Sequence, residues 1–355
     1  MVEKKTDARK NIPYISFLSV LSAVGVVYMH LCGFHGITPA LSVQWVMSMC
    51  IEKIFVFAVP MFFMITGATL IDYPQKYDDK TYFKKRISKV LIPWLAWGGV
   101  SFLYYYCFNR KPDEIISITN VINGILNNEY RRIYWFFPVI ISIYLSLPIF
   151  AYVEDNKKKQ VFSYIVTAGF IINTFLPEIS NLLGLGITIP FQISIVSGYF
   201  NYVLIGYLLT HYEYQNKTTY FALLSMSIVS LIIQVIGTGV LSLHDGQENT
   251  LFRESTMLNC CYAVGVFALG KKHGNTIMSN KIVMKVVDTL SKYTLSIYLI
   301  HQFANNLVQK VFAFCGVIVE GTILYQLFGP ILAIAISVLV ARILRKIPYL
   351  RKIVP

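Results

Sequence analysis

Three sets of side chains in this sequence have the types and spacing for chemistry. The first is His30, within an apolar run from Pro13 to Phe34. An imidazole with its ordinary pKa near 6.5 takes a proton from a hydroxyl and returns it to a leaving group at neutral pH. His30 follows Pro13 by 17 residues, which on a helix is about 26 Å and places it toward the far side of a membrane. An ionisable group at such a depth reads as functional by default. A lone membrane histidine serves equally as an interhelical hydrogen-bond donor, and spacing leaves both open. The second set is Glu52-Lys53, on the next apolar run, Trp45 to Ile71. Glu52 suits an orienting partner for the imidazole, although an ion pair inside the bundle is the plainer reading of the two residues. The third is the cationic stretch Phe83-Lys84-Lys85-Arg86-Ile87-Ser88-Lys89. Arg86 and Lys89 are three apart and share a helical face where the third run enters the membrane, with Lys85 beside them. Such a face holds phosphate groups, arginine giving the forked contact, although a basic loop at a membrane surface also needs no ligand.

The elements that must position these groups follow from composition. Of 355 residues, 55% are hydrophobic, 15% aromatic and 14% charged. Mean hydropathy is +0.58, and the charged share lies well below the roughly 25% of soluble proteins. This describes an integral membrane protein. The sequence lacks the alternating pattern of a barrel, so the expected fold class is an all-α membrane protein, a single bundle of about ten transmembrane helices. Expected spans are 13–34, 45–72, 90–108, 134–153, 160–177, 191–210, 220–241, 256–270, 295–314 and 322–344. A net charge of +13 suggests nucleic acid in a soluble protein, but here the cations occupy short loops. Lys and Arg divide 23 to five between alternate loop sets. That bias puts both termini in the cytoplasm, with 1–12 a cytoplasmic segment and 345–355 a basic cytoplasmic tail. The charge balance therefore reflects topology and anionic headgroups rather than nucleic acid.

No linker or fixed repeat divides the chain, so it reads as one domain over 1–355. In the longest outer loop, 109–133, apolar residues from Ile115 to Leu126 recur at helical spacing, which predicts a helix in the outer interface, either a lid or simple packing. Pro60 and Gly67 in the segment Val59–Gly67 predict a bent helix with a close backbone approach. Six cysteines show no metal spacing, no metal is expected, and they read as small core residues, although Cys32 and Cys50 near one membrane face have the option to pair. Glu154, Asp155, His211, Glu213, His244 and His273 read as solvated surface, and no cleavable leader is expected.

Several of these pieces together resemble the acyltransferase family 3 of multi-pass bacterial enzymes. They are the His30 helix, Val59 to Gly67, the basic motif leading to Pro93-Trp94, Tyr134-Trp135-Phe136-Phe137, Tyr202 to Tyr207, and Leu295-Ser296-Ile297-Tyr298-Leu299-Ile300-His301. Their order is right and they span most of the chain. The resemblance implies a bundle in the bacterial cytoplasmic membrane that moves an acyl group, usually acetyl, from cytoplasmic acyl-coenzyme A to a hydroxyl of a surface glycan or glycolipid. Arg86 and Lys89 match the family's basic motif. Departures are Ser19, where many members have an arginine eleven residues before the histidine; Pro60, where many have an acid; and Ile133 and Tyr134, where relatives often have a histidine before the tryptophan.

The two lines join in one expectation. Acyl-coenzyme A rests its phosphates on Arg86 and Lys89, with Lys85 helping, and threads its arm toward His30, which serves as general base or transient acyl carrier, with Glu52 beside it. His301 and Tyr298, on one helical face and about 10 Å from Thr294, fall in the cytoplasmic half and either contact the donor arm or simply pack. Two rival classes are a glycan exporter and a non-catalytic member of a glycan-synthesis complex. The acceptor, the acyl group and the oligomeric state are not specified by the sequence.

Overall fold

The computed structural model describes residues 12–33, 38–110, 116–196, 198–212, 217–319 and 322–355, and among them it is helical with no strand. In chain order the helices are α1 (Pro13–Cys32), α2 (Val43–Phe55), α3 (Ala58–Leu70), α4 (Asp79–Arg86), α5 (Ile92–Phe108), α6 (Ile118–Leu126), α7 (Phe136–Ala151) and α8 (Asp155–Phe170). They continue with α9 (Leu176–Leu182), α10 (Phe200–His211), α11 (Lys217–Ile232), α12 (Thr238–Asp245), α13 (Thr256–Ile277), α14 (Lys281–Leu290), α15 (Thr294–Phe314) and α16 (Ile323–Lys346). Wide π turns join α4 to α5, α8 to α9 and α11 to α12, so each pair forms one long rod.

Seven of these rods and helices are long and apolar enough to cross a membrane: Pro13–Cys32, Val43–Gln75, Asp79–Phe108, Arg132–Ala151, Asp155–Leu182, Lys217–Asp245 and Ile323–Lys346. The three remaining expected runs are α10, α13 and α15, which are shorter or more polar. α10 has 12 residues, α13 carries Lys271, Lys272 and His273 in its last third, and α15 carries His301, Gln302, Asn305, Asn306 and Gln309. Large apolar side chains such as Leu103, Ile149, Val240 and Phe314 are exposed on the outside of the bundle, where lipid rather than water is the solvent.

α1 runs through the middle, packed by α2, α3, α13, α15 and α16. The core around it is built from fully buried Met61, Phe63, Phe137, Leu147, Phe267 and Leu299. α2 and α3 are one broken rod. Pro60 has no N–H and its ring crowds the carbonyl four residues earlier, that of Val56, so the break falls at Val56–Phe57. Beyond the break α3 crosses α10 backbone to backbone. A Cβ on Gly67 would lie 1.8 Å from the Val203 carbonyl oxygen, and one on Gly206 2.0 Å from that of Met64. The close approach expected of Gly67 is therefore present, with Gly206 as its counterpart.

At the basic end, buried Lys158 binds Asp72 at 2.7 Å and Asp155 at 2.6 Å. His211 Nε2 lies 3.0 Å from the other Asp72 oxygen. Asp155 and His211, expected as mere solvated surface, are thus members of a network tying the end of α3 to α8 and α10. His273 likewise has a partner, the Tyr220 hydroxyl at 3.2 Å. His244, 84% exposed, pairs only with its neighbour Asp245, and Glu154 pairs with Lys157 at the surface, while Glu213 lies outside the described residues.

The basic tail is folded back rather than free. Trp97 Nε1 donates to the Ile353 carbonyl at 2.9 Å and Arg345 Nε to that of Val354 at 2.9 Å, and Val354 is buried. Of the expected segment 1–12 only Ile12 is among the described residues. The cysteine pairing is corrected: all six thiols are free, and Cys32 Sγ turns to the Gln326 carbonyl on α16.

The helix expected in the loop 109–133 is α6, but it does not stay at the interface. Ile125 lies where a Cβ on Gly98 of α5 would meet it, at 2.7 Å. Trp94, near the start of α5, donates from Nε1 to Asn128 Oδ1 at 2.9 Å. Asn128, buried at φ +58°, makes the turn; asparagine tolerates this left-handed conformation better than most residues. The segment 118–135 is thus a hairpin dipping along most of α5.

Gly206→Ala forces a methyl group into the Met64 backbone and is expected to cost about 1–3 kcal/mol. Gly99→Ala, with nothing within 4 Å, is the neutral control. Thermal unfolding of the detergent-solubilised variants checks the difference.

Candidate active site

α1 carries His30 to within two residues of its end at Cys32. There His30 Nδ1 meets His301 Nε2 at 2.9 Å, the rings nearly parallel at 9° with centroids 5.1 Å apart. His301 is fully buried. Its Nδ1 lies 2.8 Å from the Tyr298 carbonyl oxygen and 3.1 Å from that of Ile297. Carbonyl oxygens only accept, so His301 Nδ1 carries the hydrogen and its Nε2 is left with a lone pair. His30 Nδ1 must then donate, and the free lone pair of the couple falls on His30 Nε2. As a whole residue His30, near the end of α1, is half-buried, less enclosed than His301. A basic nitrogen held in one tautomer by a second group is the arrangement of general-base catalysis.

The meeting of His30 with His301 departs from the depths expected from spacing. Counting from each helix start puts the two histidines about 16 Å apart along the membrane normal. The helices do not start level. α14 precedes α15 and packs Val283, Val287 and Leu290 against Val20 and Val24 of α1. α15 therefore begins deep in the bundle, and its seventh residue beyond Thr294 reaches the level of His30.

α15 is latched over this stretch to the hairpin. The Tyr298 hydroxyl donates to the Ile133 carbonyl, the Tyr134 hydroxyl to that of Leu299 at 2.8 Å, and Arg131 Nη1 to Gln302 Oε1 at 3.2 Å. These contacts bracket His301 and fix its helix in rotation, each worth about 1 kcal/mol.

Two cavities lie along α15, one before and one after His301, and neither histidine is among the residues lining them. One, of about 240 Å³, is lined by Thr294 and Tyr298 of α15, Ser19 of α1, Arg86, Val90 and Tyr144, with α3 forming one wall. The other, of about 590 Å³, is lined by Asn306, Gln309 and Lys310 of α15 with Tyr104, Tyr130 and Arg131. Tyr298 stands between the first cavity and the pair, its ring centroid 6.0 Å from that of His301. On α1, Ser19, Ser22, Val26 and His30 fall within an arc of roughly 80°, so one face leads from the smaller cavity to the imidazole. Ser22 Oγ is buried on that face without a hydrogen-bond partner among the described residues.

Arg86 faces the smaller cavity. Its guanidinium lies over Tyr144 and Tyr82, at 5.4 and 5.8 Å from the ring centroids, and its buried Nε has no hydrogen-bond partner among the described residues. The residue sharing its cavity face is Val90, four positions on. Lys89 falls in the π turn Ile87–Leu91, whose extra residue per turn rotates it relative to a regular helix. Lys85 lies over the Tyr77 ring at 3.8 Å, and neither lysine is among the residues lining the cavity.

Glu52 is the group expected beside His30, and His301 and Tyr298 are expected against the donor arm; the structure instead brings His301 to His30, with the Tyr298 carbonyl behind it. Glu52 is engaged elsewhere. Its carboxylate pairs with Lys53 at 2.9 Å and approaches Arg253 at 3.9 Å. Lys53, 1% exposed, also donates to the Arg253 carbonyl at 2.6 Å. The residue that spacing missed is Arg131. Its signal was an arginine after a short amphipathic run, with tyrosines on either side; nothing in the sequence showed that the run turns inward.

A family model described as an acyltransferase domain, acyltransferase 3, matches residues 12–342, nearly the whole chain. No curated protein and no solved structure gives a match.

The proton order of the pair is directly testable. In ¹⁵N-histidine solid-state NMR at neutral pH, His301 is expected as the Nδ1–H tautomer with Nε2 accepting, and His30 as the Nδ1–H tautomer with a bare Nε2. His301→Phe is expected to abolish the His30 coupling and let both His30 tautomers populate.

Proposed function

The chain belongs to the acyltransferase family that this match describes, and we propose that it carries an acyl group through the membrane, from acyl-coenzyme A on the basic side to a hydroxyl of a surface glycan or glycolipid on the other. The observation that carries this reading is the histidine pair, with its lone pair on His30 Nε2, standing between two cavities. The charge bias of the loops supports a cytoplasmic basic end, with α10, α13 and α15 completing ten crossings and both termini inside.

In this reading the nucleotide phosphates of the donor rest on the basic motif, with Arg86 at the mouth of the smaller cavity and its unpaired Nε available to an oxygen. Lys85 and Lys89 add charge around the mouth rather than lining it. The pantetheine arm follows the α1 face past Ser19 and Ser22, with Tyr298 yielding at the inner end. Acetyl, a small acyl group, suits a cavity of about 240 Å³. The acceptor hydroxyl arrives from the larger cavity. His30 Nε2 takes its proton as the oxygen attacks the thioester carbonyl; the new C–O bond forms, the C–S bond breaks, and the imidazolium returns the proton to the leaving thiolate. His301 acts as a positioning residue, and its accepting nitrogen stabilises the transient charge on His30. Glu52, held by Lys53 and Arg253, has a structural role here. A route through acyl-His30 uses the same nitrogen.

Protein purified in detergent, given acetyl-coenzyme A and cell-surface glycan, is expected to turn over without any membrane gradient, which separates an enzyme from an exporter. His30→Ala is expected to lower kcat by about 10²–10⁴-fold; unchanged turnover overturns the proposal. Arg86→Gln is expected to raise KM for the donor about tenfold, the worth of one charge-assisted hydrogen bond, with a smaller effect on kcat.

A further inference from the structure

The larger cavity has a chemistry of its own. Its lining combines three tyrosine rings, Tyr104, Tyr105 and Tyr130, with the side-chain amides of Asn109, Asn306 and Gln309. Flat rings cover the C–H faces of a sugar, and amides both donate to and accept from its hydroxyls. Two cations, Arg131 and Lys310, complete the wall, and no acidic side chain lines it among the described residues. Neither cation has a carboxylate within ion-pair distance among those residues. Arg131 is satisfied only by neutral groups: the Gln302 amide at 3.2 Å and the ring faces of Phe303 and Tyr104, 4.2 and 5.5 Å away. Its Nε is buried and has no hydrogen-bond partner among the described residues. A half-buried guanidinium left in this state carries a desolvation cost that an anion offsets.

We infer that this cavity receives an acceptor glycan carrying an acidic group, a carboxylate or a phosphate, bound between Arg131 and Lys310. Asn306 and Lys310 stand about 8 and 14 Å beyond His301 along α15, a separation that one or two sugar residues bridge. The anion fixes the register of the glycan, and the rings fix its plane, so that a hydroxyl near the anionic sugar points down toward His30. The sense of that last step rests on the acyl-transfer reading; the binding chemistry does not.

The test is equilibrium binding to the full-length protein in nanodiscs without donor, using a galacturonate tetrasaccharide, a phosphorylated maltotetraose and neutral maltotetraose as probes. One of the acidic probes is expected to bind at least about tenfold tighter than the neutral one, with an affinity that falls as salt rises. Its identity distinguishes carboxylate from phosphate. Lys310 is exposed and its variants are expected to fold: Lys310→Gln removes most of the preference and Lys310→Arg restores it. Arg131→Gln weakens acidic probes selectively, with unchanged binding of neutral maltotetraose as the check on folding. Equal binding of acidic and neutral probes, no binding of any, or an undiminished preference in both Gln variants overturns the inference. Because binding is read without turnover, these outcomes are independent of whether His30→Ala abolishes transfer.

Discussion

Two backbone carbonyls, those of Ile297 and Tyr298, set the proton order on which everything at the centre of this bundle depends. They accept from His301 Nδ1, and that single constraint passes along the pair to leave His30 Nε2 bare. No carboxylate is needed in the couple. In a low-dielectric interior a neutral orienting group avoids the cost of burying an anion, and the side-chain hydrogen bond to the helix's own backbone supplies direction without charge. The latches from Tyr298, Tyr134 and Arg131 matter because they hold α15 in the one rotation at which His301 Nε2 faces α1.

α15 is accordingly the organising axis of the site, although it is more polar than the seven helices apolar enough to cross a membrane. Read from its start, it passes the smaller cavity at Thr294 and Tyr298, the histidine at 301, and the larger cavity from Asn306 onward. α1 contributes the reactive ring and the lining leading to it. The two cavities differ in kind. The smaller is largely apolar with one arginine at its edge, and the larger is aromatic and polar with two cations. That contrast matches the two substrates proposed for acyl transfer, a long slender donor and a broad hydroxylated acceptor.

Much of this was legible in the chain. Hydropathy runs located the helices, and Pro60 and Gly67 announced the break and the tight crossing. His30 stood out because an imidazole in an apolar run reads either as a reactive group or as an interhelical hydrogen-bond partner, and it does bond across helices, to His301. What could not be read was relative depth. Counting residues from apparent helix starts assumes that all helices enter at one plane, and α14 breaks that assumption by seating α15 several turns into the bundle. The inward course of 118–135 was hidden for a similar reason. It depends on Asn128 adopting positive φ and on a Trp94 contact 34 residues away in sequence, and neither leaves a periodic trace. The face shared by Arg86 and Lys89 was drawn on regular helical geometry, and the π turn between α4 and α5 changed it.

The contact between Gly67 and Gly206 also governs how the bundle deforms. With two main chains pressed together and no side chain between them, the α3–α10 crossing has almost no compressibility, and α3 is one wall of the smaller cavity. The facing wall, on α15 and α7, is held by side-chain bonds and rings, which lengthen and re-form cheaply. Any widening of the smaller cavity is therefore one-sided, taken up by the α15 and α7 wall while the α3 wall serves as the anvil.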